Sequence, residues 1–253
     1  MSDFRPRSNS EILDVAFEIL RRHFMVFVAI NVFAAIPSAL ASYTAQTAAL
    51  LQQPDGFLTS LFIRFLGALI IPFTEGAMVY ATSAAYLGTT VDLEQSVRSA
   101  FKRPGRLFVA MFAKWILMSF GLIFFLVPGL LVFKRYFAIP MTVLFEDNKV
   151  GEAITRSRDL ARGNGTRIFG LIGGVMVFLL IVTAILGQTI TTFTHSPTLT
   201  AVATFIIIAV TSPFSTIVAT LLYYDIRIRR EGYDIELMTQ SLGTDSPSLS
   251  PVR

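Results

Sequence analysis

Residues 168–224 read IFGLIGGVMVFLLIVTAILGQTITTFTHSPTLTAVATFIIIAVTSPFSTIVATLLYY, and no Asp, Glu, Lys or Arg interrupts them. A helix needs about 20 predominantly apolar residues to cross a bilayer. The stretch therefore predicts two crossings joined by a tight turn at Thr194-His195-Ser196-Pro197. A buried hairpin of a soluble protein could show this pattern once. Here it recurs: apolar stretches cover about 24–46, 60–86, 107–127, 129–145, 167–191 and 199–224. The chain is 53% hydrophobic and 15% charged, with a mean hydropathy of +0.63, whereas a soluble domain carries about 25% charged residues. The polar surface that remains could not cover six such stretches.

The basic residues between these stretches fall on alternate connections. Arg5, Arg7, Arg21 and Arg22 precede the first, and Arg98, Lys102, Arg103 and Arg106 lie between the second and third. Lys149, Arg156, Arg158 and Arg162 lie between the fourth and fifth, and Arg227, Arg229, Arg230 and Arg253 follow the sixth. The connections near 47–59, 128 and 192–198 hold no Lys or Arg. Short loops rich in Lys and Arg remain cytoplasmic, so the pattern predicts six transmembrane helices with both termini in the cytoplasm. The first stretch shares features with a signal peptide, Ala39-Leu40-Ala41 mimicking a cleavage site. The long arm before it, with acidic Glu11, Asp14 and Glu18, and the apolar run beyond Ala41 favour an uncleaved span.

Three polar segments share a plan. Residues 10–22 place Ile12, Val15, Ala16 and Ile19 on one helical face and Glu11, Asp14, Glu18 and Arg21 on another, with Ser10 as the expected cap. Residues 92–103 begin at Asp92 and set Leu93, Val97, Ala100 and Phe101 against Glu94, Arg98 and Lys102. Residues 149–162 set Val150, Ala153, Ile154, Ser157 and Ala161 against Glu152, Arg156 and Asp159. Glu94–Arg98 and Glu152–Arg156 are favourable four-residue spacings. The segments fit helices lying in the membrane interface. Each precedes an apolar hairpin, so the expected fold is an all-α membrane protein built as a threefold repeat of short amphipathic helix plus hairpin. The competing reading is that any short cytoplasmic loop tends to become amphipathic. The expected parts are an arm over 1–23, a membrane domain over 24–224, and a tail over 225–253 that is disordered from about 239, where Ser, Thr, Pro and Gly dominate.

Charges inside apolar stretches are costly and mark candidate sites. They are Arg64, Glu75, Lys114, Lys134 and Arg135, Glu75 being the one acid within a span. Arg64 lies eleven residues before Glu75, on the same face of a continuous helix. Pro72 and Gly76 bracket Glu75 and could loosen the helix there. A proton or cation relay competes with a structural ion pair to a base on another helix, with Lys114 and Arg64 snorkelling. Lys134 and Arg135, in a short fourth stretch that follows Val127-Pro128-Gly129 directly, fit a tilted, re-entrant or outer-headgroup segment. Gly170 and Gly174 fit close helix approach, Asn31 and Gln188 fit interhelical hydrogen bonds, and Pro37, Pro72, Pro140 and Pro213 fit kinks.

Catalytic patterns are missing from the sequence. Cysteine is absent and His23 and His195 are the only histidines, on opposite sides by this topology. There is no P-loop, dinucleotide fingerprint or nucleophile elbow. No cofactor or metal is expected. A net charge of +4 with the bases flanking spans points to anionic lipid rather than nucleic acid, each Lys or Arg near the surface contributing about 1 kcal/mol.

Two stretches, FAIPMTVLFE over 137–146 running into AITRSRDLARG over 153–163, and LYYDIRIRREGYDIE over 222–236, resemble the membrane domain attached to some bacterial glycerophosphoryl diester phosphodiesterases and its stand-alone relatives. The resemblance covers roughly residues 10–238 and is most specific at the C-terminal end. It implies a six-helix inner-membrane protein of poorly defined role, lacking the catalytic barrel. It weights Glu146, Arg156, Ser157, Leu160, Gly163, Tyr224, Asp225, Arg227 and Gly232. In that frame Asp225 either caps or pairs with an arginine of the 156–162 helix, and Arg227, Arg229 and Arg230 face lipid phosphates, with Arg156, Arg158 and Arg162 beside them. The expectation is a non-enzymatic scaffold or envelope-homeostasis factor that contacts anionic lipid or a membrane protein partner. The alternative is a small transporter or lipid translocator with a polar interior around Glu75. An intramembrane enzyme lacks paired catalytic groups.

Overall fold

A computed structural model of the chain describes residues 5–53, 55–124, 134–146, 148–194 and 196–232, with the side chains of 118–124 left aside. Among the described residues the chain is helical and has no strand. Three helices are long and apolar enough to cross a membrane: α2 (Phe24–Leu50), α9 (Gly165–Thr194) and α10 (Pro197–Glu231). A fourth crossing is reached if α3 (Gly56–Ala68) and α4 (Ile71–Tyr86), bent by 41° at their junction, form one span. Their outer faces carry large apolar side chains open to the surroundings, Phe33, Ile36 and Leu40 on α2 and Phe178, Leu180 and Ile185 on α9. So much exposed apolar surface suits lipid rather than water, and the architecture is compatible with an integral membrane protein.

The expected amphipathic helices are present as α1 (Asn9–Arg22), α5 (Leu93–Ala100) and α8 (Val150–Ala161). Asp92 caps α5, its carboxylate accepting the Gln95 N–H at 2.9 Å. On α1 the cap is Ser8 rather than Ser10. Ser8 Oγ accepts the Glu11 N–H at 3.3 Å and Glu11 returns an oxygen to the Ser8 N–H at 2.6 Å, a reciprocal capping box. Ile12, Ala16 and Ile19 are the buried stripe. The expected Glu94–Arg98 and Glu152–Arg156 pairs do not form among the described residues. Glu152 instead accepts the Lys149 N–H at 2.9 Å, and Arg156 is drawn to Glu146 and Glu231.

Span two departs from a continuous helix. The chain breaks at Leu69 and Ile70, and Pro72 enters the first turn of α4, where its missing N–H removes no helical bond. Pro140 likewise opens a helix, α7 (Ile139–Phe145), whereas Pro37 and Pro213 lie inside α2 and α10. Close backbone approach occurs between α2 and α3. A Cβ on Gly56 would come within 1.7 Å of the Ala48 Cβ, and one on Gly67 within 2.5 Å of Pro37. At Gly170 and Gly174 it would meet nothing within 4 Å among the described residues. No close approach is made there within the chain among the described residues; that turn of α9 is a π-bulge over Phe169–Gly173. Asn31 makes its expected bond, Nδ2 donating to the Ile208 carbonyl of α10 at 2.8 Å. Gln188 lies exposed on α9.

The fourth apolar stretch changes most. The Val127-Pro128-Gly129 turn lies outside the described residues. α6 (Pro104–Phe124) occupies the expected third span. From Lys134 onward the chain runs alongside α8: the Ser157 hydroxyl donates to the Arg135 carbonyl at 3.0 Å and accepts the Ala138 N–H at 3.1 Å. Glu146, at the other end, meets Arg156. α7 has seven residues, roughly 10 Å of helix against a hydrocarbon core of about 30 Å. It packs as a buried bracket, Phe137 to Val143 being shielded from solvent, and Lys134 and Arg135 sit beside α8. The tail boundary at 225 also shifts, since α10 continues to Glu231 and ends on Gly232 at φ 63°, the left-handed cap that glycine accepts without a Cβ clash. The tail expected to be disordered from 239 lies outside the described residues.

Candidate functional site

The last two turns of α10 form a hub at the basic end of the bundle. Asp225 is buried, with 3% of its side chain exposed. Arg167, at the start of α9, donates to Asp225 Oδ2; Arg229 Nε donates to the same oxygen at 2.8 Å, and the Arg7 N–H reaches Oδ1 at 2.6 Å. Arg167 Nη2 and Arg229 Nη2 then both hold the Arg7 carbonyl, at 2.5 and 2.7 Å. Arg167 Nε reaches the Asn9 side chain at 2.9 Å. One buried carboxylate thus fastens the N-terminal arm, α9 and α10 together. Charge-assisted contacts of this kind are the strong ones, and a buried carboxylate needs them.

A second network lies one turn further on. Arg156 of α8 pairs with Glu146 at 2.6 Å and with Glu231 of α10 at 2.6 Å. Tyr223 donates its hydroxyl to Glu146 at 2.8 Å, and Arg227 pairs with Glu231 at 3.1 Å and lies 3.9 Å from Glu146. The Glu231 hydrogen bond, with Glu146 behind it, holds the Arg156 guanidinium above its ordinary pKa against the opposing effect of burial. Arg230 donates to the Asp159 carbonyl and, at 3.4 Å, to that of Arg162, satisfying carbonyls at the end of α8. Tyr224 closes the plate from below. Its hydroxyl meets Ser83 of α4 at 2.5 Å, and its ring stacks on Tyr86 at 5.2 Å.

Two sequence expectations are corrected here. Asp225 pairs with Arg167 and Arg229, not with an arginine of the 156–162 helix. Arg227, Arg229 and Arg230 turn onto protein acceptors, because Glu146, Glu231, Asp225 and the α8 carbonyls are already placed within reach. Sequence reasoning passed over Arg167. The signal was available: Arg167 and Asp225 are the charges that bound the uncharged run over 168–224.

Four bases gather in a separate concavity. A cavity of about 360 Å³ is lined by Lys134, Arg135, Arg158 and Arg162, with Ala161, Gly163 and Gly165 completing its wall. Arg162 lies 3.5 Å from Asp159. Lys134, Arg135 and Arg158 have no carboxylate at ion-pair distance among the described residues.

The intramembrane candidates separate. Lys114 Nζ of α6 donates to Glu75 of α4 at 3.2 Å, both side chains mostly shielded. Arg64 lies on α3, exposed between Phe62 and Phe65. The break between α3 and α4 removes the common face expected for Arg64 and Glu75. Glu75 does not line that concavity. Comparison with protein-family models, with curated proteins and with solved structures finds no match for this chain.

Proposed function

We propose that this chain is a non-enzymatic integral membrane protein of the bacterial inner membrane, a scaffold or envelope-homeostasis factor whose basic end faces the cytoplasm and contacts anionic lipid or a membrane protein partner. One observation carries the reading: the basic end divides its charges in two. Asp225, Glu146 and Glu231 are committed to ion pairs within the hub. Arg21, Arg22, Arg98, Lys102, Arg135 and Arg158 remain without an ion-pair partner among the described residues, five of the six on or beside the three amphipathic helices. A cationic surface set at the level of interfacial helices suits a negatively charged leaflet. The threefold repeat is supported by the order of elements, a short amphipathic helix preceding a long apolar one at α1–α2, α5–α6 and α8–α9. Of the residues that carry the resemblance to the phosphodiesterase-linked membrane domain, Glu146, Arg156 and Arg227 share one network and Asp225 holds the neighbouring one.

The test is vesicle flotation of detergent-free nanodiscs made of neutral phosphatidylcholine and holding the protein. The expected result is docking to vesicles with 30% phosphatidylglycerol and not to neutral ones, weakening steeply as salt rises. Equal docking to both vesicle types removes the lipid-contact reading. The transporter alternative rests on Glu75, and the Lys114 pair favours a structural role for that acid. Substrate flux that disappears in a folded Glu75→Gln variant would restore it.

A further inference from the structure

We propose that the cavity between the 134–135 segment and the C-terminal end of α8 is a phosphate site, taking a phosphomonoester or phosphodiester group. The inference deepens the lipid-contact reading and rests on it for the nearness of lipid, though not for the phosphate chemistry.

The charges come first. Lys134, Arg135, Arg158 and Arg162 line one concavity of about 360 Å³ and no acidic residue lines it. Like charges that share a recess repel. In the hub beside them, Arg156, Arg167, Arg227, Arg229 and Arg230 each hold a carboxylate or a carbonyl. The competing acceptors at the cavity are already occupied: Arg230 holds the carbonyls of Asp159 and Arg162, and Ser157 holds that of Arg135. What remains among the described residues is Lys134, Arg135 and Arg158 with no carboxylate at ion-pair distance, beside Arg162, whose Asp159 partner lies 3.5 Å away.

The walls come second. Ser157 is fully buried, and its hydroxyl fixes both Arg135 and Ala138 of the facing segment, so the recess is fixed by hydrogen bonds on both sides. Gly165 leaves room for Lys134: a Cβ there would lie 3.2 Å from Lys134 Cδ and Nζ. Gly163, at φ 79°, turns the chain from α8 toward α9 in a conformation that residues with a Cβ rarely adopt. The donor set suits the ligand. Guanidinium forks match the paired oxygens of phosphate, and a lysine adds a mobile point charge. The volume sits at the lower end of the range for small-ligand sites, about 300–1,000 Å³, enough for a headgroup and too small for a bulky cofactor.

The phosphate could belong to a lipid headgroup or be free in solution. The experiment uses the full chain in nanodiscs of phosphatidylcholine, with a trace of fluorescent phosphatidic acid or with inorganic phosphate as probe. The variants are Lys134→Gln/Arg158→Gln and, as a surface control, Arg98→Gln/Lys102→Gln. Arg158→Lys keeps the charge and reports on folding through unchanged thermal unfolding. Enrichment of phosphatidic acid at the protein falls at least tenfold in the Lys134/Arg158 double variant and less than twofold in the control. If millimolar inorganic phosphate binds the wild type and displaces the lipid, the group itself is recognised. If it does neither while the lipid effect holds, the headgroup within its bilayer is the ligand. Equal losses in both double variants overturn the pocket and leave the general lipid-contact reading standing. Loss of vesicle docking by the wild type, with phosphate binding still abolished by Lys134→Gln/Arg158→Gln, overturns that reading and leaves the pocket standing.

Discussion

Changing Asp225 to Asn tests the hub directly. The substitution keeps shape and removes charge. One oxygen can still accept the Arg7 N–H, but the new amide would point its own donors at Arg167 and Arg229. Arg167 is only 18% exposed along its side chain, so it cannot recover its hydration. Breaking a buried pair by removing one partner costs about 3–5 kcal/mol, and the expected loss lies in that range. Arg229 is 38% exposed, and Arg229→Gln should cost no more than about 1 kcal/mol, the value for surface pairs. The difference between the two variants is the prediction. Unfolding by sodium dodecyl sulfate titration in mixed micelles measures it. Trypsin supplies a second readout, because the peptide group of Arg7 is held by Asp225, Arg167 and Arg229. Cleavage after Arg7 should accelerate in Asp225→Asn and hardly change in Arg229→Gln. A loss under about 1 kcal/mol with an unchanged cleavage rate would refute the idea that one buried carboxylate fastens the arm to the bundle.

Three further outcomes are expected. Glu75→Gln should destabilise by roughly 1–3 kcal/mol, the cost of leaving a shielded charge without its partner, and Glu75→Gln/Lys114→Met should recover part of it; a double variant worse than the sum of the singles would argue against a direct pair. The Glu11 carboxyl is lowered from 4.5 to about 2, first by the Ser8 N–H and then by Arg5. A depressed folded-state value means that its contribution to α1 is complete above pH 4.5 and disappears as pH falls toward 2. Carbon-13 titration of that carboxyl should show the low midpoint, and an ordinary one would remove the capping box. Gly56→Ala should drive α2 and α3 apart and lower thermal stability by several degrees, whereas Ala48→Gly/Gly56→Ala should restore most of it; failure of that rescue would contradict the 1.7 Å approach.

What could be read in advance was set by local chemistry. The amphipathic helices follow from periodicity and caps, and α5 and α8 begin within a residue of where Asp92 and Lys149 place them. The hairpin over 168–224 was legible because charge is so costly in lipid that its absence is a strong signal. Ser196 caps α10 and Pro197 opens it, as the turn residues require. The break before Pro72 was half legible: proline marked the place, but whether it loosens a helix from inside or begins a new one depends on how the chain packs around Gly67 and Gly76. The path of 134–146 was hidden. Its apolar composition serves equally for a span or for a buried bracket, and only Ser157, far along the chain, decides between them. The hub was legible in its members and not in its pairings, since a carboxylate takes whichever guanidinium the fold delivers.

The Arg167–Asp225 pair has a consequence for how the chain is laid into the membrane. Its two members are separated by the whole uncharged hairpin, and they meet only if the number of crossings between them is even. A chain that threaded one of those helices and left the other behind would strand them on opposite faces, about 30 Å of hydrocarbon apart, each without its partner. The contact is therefore sensitive to parity. It favours one threading of the hairpin over its half-inserted alternatives by the strength of a buried ion pair.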